Sequence, residues 1–235
     1  MMVDAEQQGG RRPHPATNDS VEGAMTFDGP TRLHCMDTTS QTSYPDLHPA
    51  ARAVAQLIDG VDDARLDDPT PCPQYAVREL LGHLVGLSTA FRDAARKHFG
   101  PSTNTDPGSV LPVLDDDWRT VLPQRLDELA ESWTAPTAWD GDTQAGGITF
   151  PAAIAGRVAL NELVIHGWDL ARATGQEYAP EEASLEVSYG VLKPADDDPG
   201  RGGLFGPVVE VPENAPQLER VVGFSGRRPD WQPGD

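Results

Sequence analysis

Cysteine is scarce in this chain: Cys35 and Cys72 are the only two in 235 residues, and they form no CxxC pair. That excludes a disulfide framework, a zinc ribbon and a thioredoxin-like redox motif, and both side chains are read as reduced thiols. Basic residues are also few, with 18 Lys and Arg against 37 Asp and Glu and a formal charge of −19. Without a basic stripe, neither a nucleic-acid backbone nor an anionic membrane surface is expected as a partner. Apolar runs are too short to span a bilayer, and the opening MMVDAEQQGGRRPHPATNDS lacks the apolar centre of a signal peptide. The expected location is therefore cytoplasmic. No alternating apolar and polar run of useful length and no internal repeat is present, so the expected class is all-α.

What is present is organised in helical stripes. Residues 1–44 are rich in Gly, Pro, Asp, Ser and Thr without any period, so they read as a disordered N-terminal extension. Met25 and Met36 lie inside it, and the expectation is that translation starts at one of them. Residues 45–235 form the expected domain. A first amphipathic helix is expected over residues 46–60, capped by Asp46 and ended by Gly60. Pro69, Pro71 and Pro73 make a stiff connector. A second helix follows over residues 74–98, with Val77, Leu80, Leu81, Leu84, Val85 and Phe91 in one stripe and His83 at its edge.

A third stripe runs from Leu114 to Trp133, but Pro123 lies inside it, so the helix should kink there or begin later than the pattern suggests. Residues 141–147 read as a Gly-rich connector to a fourth helix, with Pro151 in its first turn and Gly175 just past its end. A short fifth helix is expected over residues 180–192, a loop through Asp196, Asp197 and Asp198, and an extended tail from Phe205. That tail carries one or two helical turns over residues 216–222, with Phe224 and Trp231 as anchors. The sum is a bundle of four main helices with a short extra helix and an extended C-terminal tail.

Chemistry concentrates on the fourth helix. Glu162 and His166 are four residues apart and point the same way, on a face shared with Ile154, Ala155, Val158 and Ile165. A carboxylate turned into the protein needs protonation, an ion pair with the imidazolium, or a shared metal ion. The metal requires a further ligand, and His83 on the second helix is the best placed. Two histidines and one carboxylate suit zinc, nickel or iron(II) and leave a coordination position open. Alternatively, His83 is a core histidine bonded to a carbonyl, and Glu162 pairs with His166 or with Arg157. Asp169 could orient the His166 imidazole or lie in solvent. Trp168 is read as packing, and Cys72 as a buried inert thiol rather than a nucleophile.

Two stretches, TPCPQYAVRELLGHLV at 70–85 and NELVIHGWDLARATG at 161–175, carry a resemblance to a known family. They resemble actinobacterial metal-binding proteins related to the N-terminal domain of mycothiol-dependent maleylpyruvate isomerase, within the wider DinB-like group of four-helix bundles. The resemblance implies a divalent metal, usually zinc, on His83, Glu162 and His166. The family often has Trp in place of Tyr75 and a larger polar residue in place of Gly82. The isomerase also has a further C-terminal domain, for which the tail here is too short.

Two functional expectations follow. In the first, the protein is a thiol transferase or isomerase whose open metal position takes a low-molecular-weight thiol, by resemblance mycothiol, and presents it as thiolate to an electrophilic substrate. In the second, it is a non-enzymatic metal-binding protein in which the ion staples the bundle and the pocket senses or carries a small molecule. A DNA-related role, suggested only by the name of the wider group, is opposed by the charge balance.

Overall fold

The structure is a computed structural model that describes residues 43–106, 108–194 and 206–234. The expected N-terminal extension, its internal methionines and Cys35, and the Asp196 to Asp198 loop lie outside those residues, save for Ser43 and Tyr44.

Four helices build the bundle, α1 (His48–Ile58), α2 (Val77–Ala95), α4 (Trp118–Ser132) and α5 (Ala152–Thr174), with a one-turn α3 (Pro101–Asn104) between α2 and α4. A hairpin of β1 (Asp142–Ala145) and β2 (Ile148–Pro151) precedes α5, and α6 (Glu182–Leu192) and α7 (Gln217–Phe224) follow it. The fold is mainly α, as expected.

One continuous core joins Val54 and Leu57 of α1, Leu80, Leu81 and Leu84 of α2, Leu122, Leu126 and Leu129 of α4, and Leu160, Leu163 and Val164 of α5. All are apolar at helical spacing, so burying them drives the four helices together. Polar side chains from elsewhere satisfy carbonyls at and just beyond the end of α1. Arg119 donates to Ile58 and Val61, and Gln176 donates to Leu57.

Local details differ from expectation for physical reasons. Asp46 lies one residue before the N-cap, Leu47, yet its carboxylate still accepts from the His48 N–H at 2.9 Å. Helix α4 does begin later than its stripe, as expected, at Trp118 rather than Leu114, although Pro123 remains inside it. Residues 111–114 instead run without regular structure, and Val113 lies over Gly82 of α2.

The expected Gly-rich connector is a strand pair. Gly146 and Gly147 both have positive φ, 59° and 78°, and close a two-residue turn between Ala145 and Ile148. Such a turn matches the twist of paired strands and needs residues that tolerate positive φ at both central positions. Thr143 pins the hairpin to α2 by donating to the Ala94 carbonyl at 2.6 Å. Pro151 is therefore the N-cap of α5 and last residue of β2, not a residue of the first turn. Gly175 ends α5 in the left-handed conformation expected of it.

Candidate metal centre

The loop before α2 places the first histidine. The Thr70 hydroxyl donates to the Tyr75 carbonyl at 2.7 Å and accepts from the Cys72 N–H at 3.1 Å, closing the proline-rich connector into a knot. Glu79 then accepts from the Ala76 N–H at 3.0 Å, which satisfies a backbone donor at the start of α2. Six residues into the helix, His83 points toward α5, its ring 5.1 Å from that of Tyr75.

Helix α5 supplies the rest on one face. Glu162 Oε2 lies 3.3 Å from His166 Nε2 and 3.6 Å from His83 Nε2, and the two imidazole rings meet edge to face at 4.8 Å. The other nitrogen of His166, Nδ1, lies 2.9 Å from Asp169 Oδ2. Asp169 is completely buried and also accepts from Arg227, from Nη2 at 3.0 Å and from Nε at 3.3 Å. The cluster is thus a chain of alternating charge running from Glu162 through His166 and Asp169 to Arg227.

Its electrostatics follow from those contacts. Burial works to raise the Glu162 pKa, but hydrogen bonds from His166 and His83 overcome it and hold the carboxyl well below the usual range. For His166 burial acts the other way, and the bonds to Asp169 and Glu162 overcome it, raising the imidazole to about 9. Asp169 is lowered because the Arg227 charge and the bond from His166 outweigh burial. His83 is lowered, since burial outweighs its bond to Glu162. In the absence of metal His166 is the charged histidine and His83 the neutral one.

The donor set fits a divalent ion. A tetrahedral centre with bonds of about 2.1 Å holds its ligand atoms about 3.4 Å apart. The separations here, 3.3 Å and 3.6 Å, bracket that spacing, and one atom from each of His83, Glu162 and His166 falls within 4.8 Å of the others. Cys72, His166 and Asp169 make a second group of the same compactness. That group shares His166 with the first, and its Asp169 is already engaged by Arg227. Burial, with the negative charge of Asp169, pushes the Cys72 thiol up to about 11. Cys72 is buried beside the cluster, as expected from sequence.

The residues singled out from sequence are therefore brought together, with two corrections. Ile154 is 52% exposed, because eight residues along a helix leave it about 80° around from Glu162. Arg157 is exposed and does not pair with Glu162, which is held by the two histidines instead. Trp168 is buried as packing, with Arg172 lying 5.9 Å above its ring. Sequence reasoning missed Arg227. Nothing in the local pattern of Gly226, Arg227 and Arg228 distinguishes it from a surface cation.

Fold and cluster together define a mainly helical bundle with two histidines and one carboxylate meeting between α2 and α5. The chain belongs to the family of the mycothiol maleylpyruvate isomerase N-terminal domain, whose sequence pattern matches residues 47–171, more than half its length. It is 26% identical over 183 residues to an uncharacterized protein of Mycobacterium tuberculosis, found in strains CDC 1551 / Oshkosh and H37Rv, covering 76% of this chain and 93% of that one. Similar solved structures include the mycothiol-dependent maleylpyruvate isomerase, at 19% identity and a TM-score of 0.45, and a point mutant of it, at 18% and 0.48. Each covers 63% of this chain and 68% of the other. Among the described residues no helix is long and apolar enough to cross a membrane.

Proposed function

We propose that this protein is a divalent-metal-dependent thiol transferase or isomerase that takes mycothiol as its thiol and an electrophilic small molecule as its second substrate. His83, Glu162 and His166 would hold the metal, with zinc the first candidate and nickel or iron(II) the others. Its place of action in this reading is the cytoplasm.

One observation supports the thiolate step most directly, and it is a charge balance. Without metal, Glu162, protonated His166, Asp169 and Arg227 sum to zero. Exchanging the His166 proton for a divalent ion leaves the cluster with one uncompensated positive charge in a largely buried place, where such a charge is costly. An anionic fourth ligand restores neutrality, and a thiolate is such a ligand. The ion would supply a thiol held deprotonated at neutral pH, so that no protein cysteine is needed.

The remaining roles belong to the chain. Asp169 keeps the His166 ring turned so that Nε2 faces Glu162 and the open side of the cluster. Tyr75 covers the His83 ring on one flank. Glu162 is the most open of the three candidate ligands, its side chain 24% exposed against 12% for His83 and 8% for His166, so substrates would enter beside it.

In the alternative, non-enzymatic reading the ion staples the bundle. The continuous apolar core of α1, α2, α4 and α5 argues against the stapling part, since the helices bury their faces without help from the cluster. The test is to measure metal in protein purified without a histidine tag, then mycothiol consumption with an electrophile before and after chelation. The enzymatic reading expects turnover that chelation abolishes while helicity persists. Loss of helicity on chelation without any turnover in the loaded protein would favour the staple.

A further inference from the structure

The side chain that completes the cluster comes from the far end of the chain. Arg227 lies 58 residues beyond Asp169 in sequence, in the segment that follows α7. A tight turn fixes it there. Gly226 has φ of 86°, and a Cβ at that position would approach Gly206 within 3.0 Å, so only glycine suits the site. The Arg227 N–H then bonds to the Val222 carbonyl at 3.2 Å, and Nη1 to the Ser225 carbonyl at 3.2 Å.

The turn in turn depends on how the tail is seated. Val221 and Val222 of α7 are buried, and the Val209 N–H bonds to the Gly223 carbonyl at 3.0 Å. Tyr189 of α6 meets Phe224 at 5.4 Å between ring centroids and accepts from Arg220 at 3.0 Å. One turn beyond Asp169 on α5, Arg172 donates to the Trp231 carbonyl. The tail is therefore latched to α5 at two points three residues apart, and the first latch is the carboxylate that orients His166.

We propose that Arg227 is a positioning residue of the metal centre, and that docking of the C-terminal tail and binding of the metal strengthen one another through Asp169. The inference rests on the metal reading above. Asp169 has two tasks, to fix the His166 ring and to receive the tail's guanidinium. With Arg227 in place the carboxylate cannot swing, so the His166 nitrogen that faces Glu162 is held before any ion arrives. By linkage, the factor by which a docked tail tightens metal binding is the factor by which bound metal tightens docking. An Arg227 that merely neutralised Asp169 would loosen the ion, because its charge adds to the positive charge of the metal-bound cluster, so tighter metal binding with Arg227 present marks positioning rather than charge.

The test uses the full chain, titrated with zinc, and amide hydrogen exchange across residues 217–231. In the wild type, zinc should slow exchange of those amides by about the same factor that Arg227 contributes to zinc affinity, roughly 10 to 100-fold. Arg227→Met should weaken zinc by that factor and lose the zinc-dependent slowing, and Arg227→Lys should recover part of both. Exchange in the wild type that is the same with and without zinc overturns the coupling, and needs no variant to fold. Arg227→Met with wild-type zinc affinity overturns it as well. A wild type that binds no zinc removes the metal reading itself, whereas zinc binding with an unresponsive tail removes only the coupling.

Discussion

Asp169 holds His166 by Nδ1 at 2.9 Å and thereby turns Nε2 to within 3.3 Å of Glu162. The first prediction follows from that division of the ring. Asp169→Asn preserves shape but removes the charge that Arg227 and His166 share. Zinc affinity should fall about 10 to 100-fold, the usual cost of losing a partner behind a ligand histidine. The metal-free protein should also lose stability, since Arg227 then keeps its burial without a counter-charge. Calorimetric titration reads the first effect and thermal melting the second. Unchanged zinc affinity would mean that His166 does not need Asp169.

Direct ligands should behave differently. His83→Ala, Glu162→Ala and His166→Ala should each lower metal affinity by orders of magnitude. Their effects on the metal-free protein should diverge. Glu162→Ala leaves His166 one carboxylate fewer, so its pKa should drop, whereas His83→Ala removes a neutral ring and should leave the His166 titration close to where it was. Proton-detected titration of the two imidazoles would show this. Full zinc stoichiometry and affinity in His83→Ala would break the three-ligand centre.

The candidate ligands were legible because helical spacing is enough to place Glu162, His166 and Asp169 on one face, and a stripe edge is enough to turn His83 inward. Arg227 was not legible, since its position depends on how α7 packs on α6, a tertiary fact that no local period encodes. The hairpin was missed for another reason. Gly146 and Gly147 are a strong turn signal, but the flanking DTQA and ITFP offer too little alternation to read as strands, and pairing with each other and anchoring on α2 make up the difference. Ile154 misled because a face followed for two turns drifts around the helix axis.

Two glycines on α2 should respond in opposite senses to the same change. A Cβ on Gly82 would lie 2.8 Å from the Val113 carbonyl oxygen, a backbone atom, so Gly82→Ala must push residues 112 and 113 away. The expected cost is about 1 to 3 kcal/mol, as for other overpacked sites. A Cβ on Gly86 meets nothing within 4 Å, so Gly86→Ala should stabilise the helix by about 0.5 to 1 kcal/mol. Chemical denaturation of both variants checks the pair. A stabilising Gly82→Ala would show that the segment before α4 does not rest on α2.

The last prediction concerns pH. In the metal-free protein His166 is raised to about 9, above the value near 6.5 of an unfolded histidine. A raised pKa contributes stability that is fully present below the unfolded value and is lost as pH climbs through the folded one. The metal-free protein should therefore lose thermal stability between about pH 6.5 and pH 9. His83 has the opposite sign, because its lowered pKa makes the fold resist its protonation, and its contribution appears only as pH rises toward the unfolded value. Zinc must displace the His166 proton, so its affinity should grow about tenfold per pH unit through this window and level off near pH 9. Calorimetry at about pH 7.5 in buffers of different ionisation enthalpy should count about one proton released per zinc at the histidines, from His166 alone. With saturating zinc the alkaline loss of stability should vanish, since both imidazoles are then neutral at every pH above the acid limb. An affinity already level from about pH 7 upward would mean that Asp169 and Glu162 do not hold His166 in its charged form.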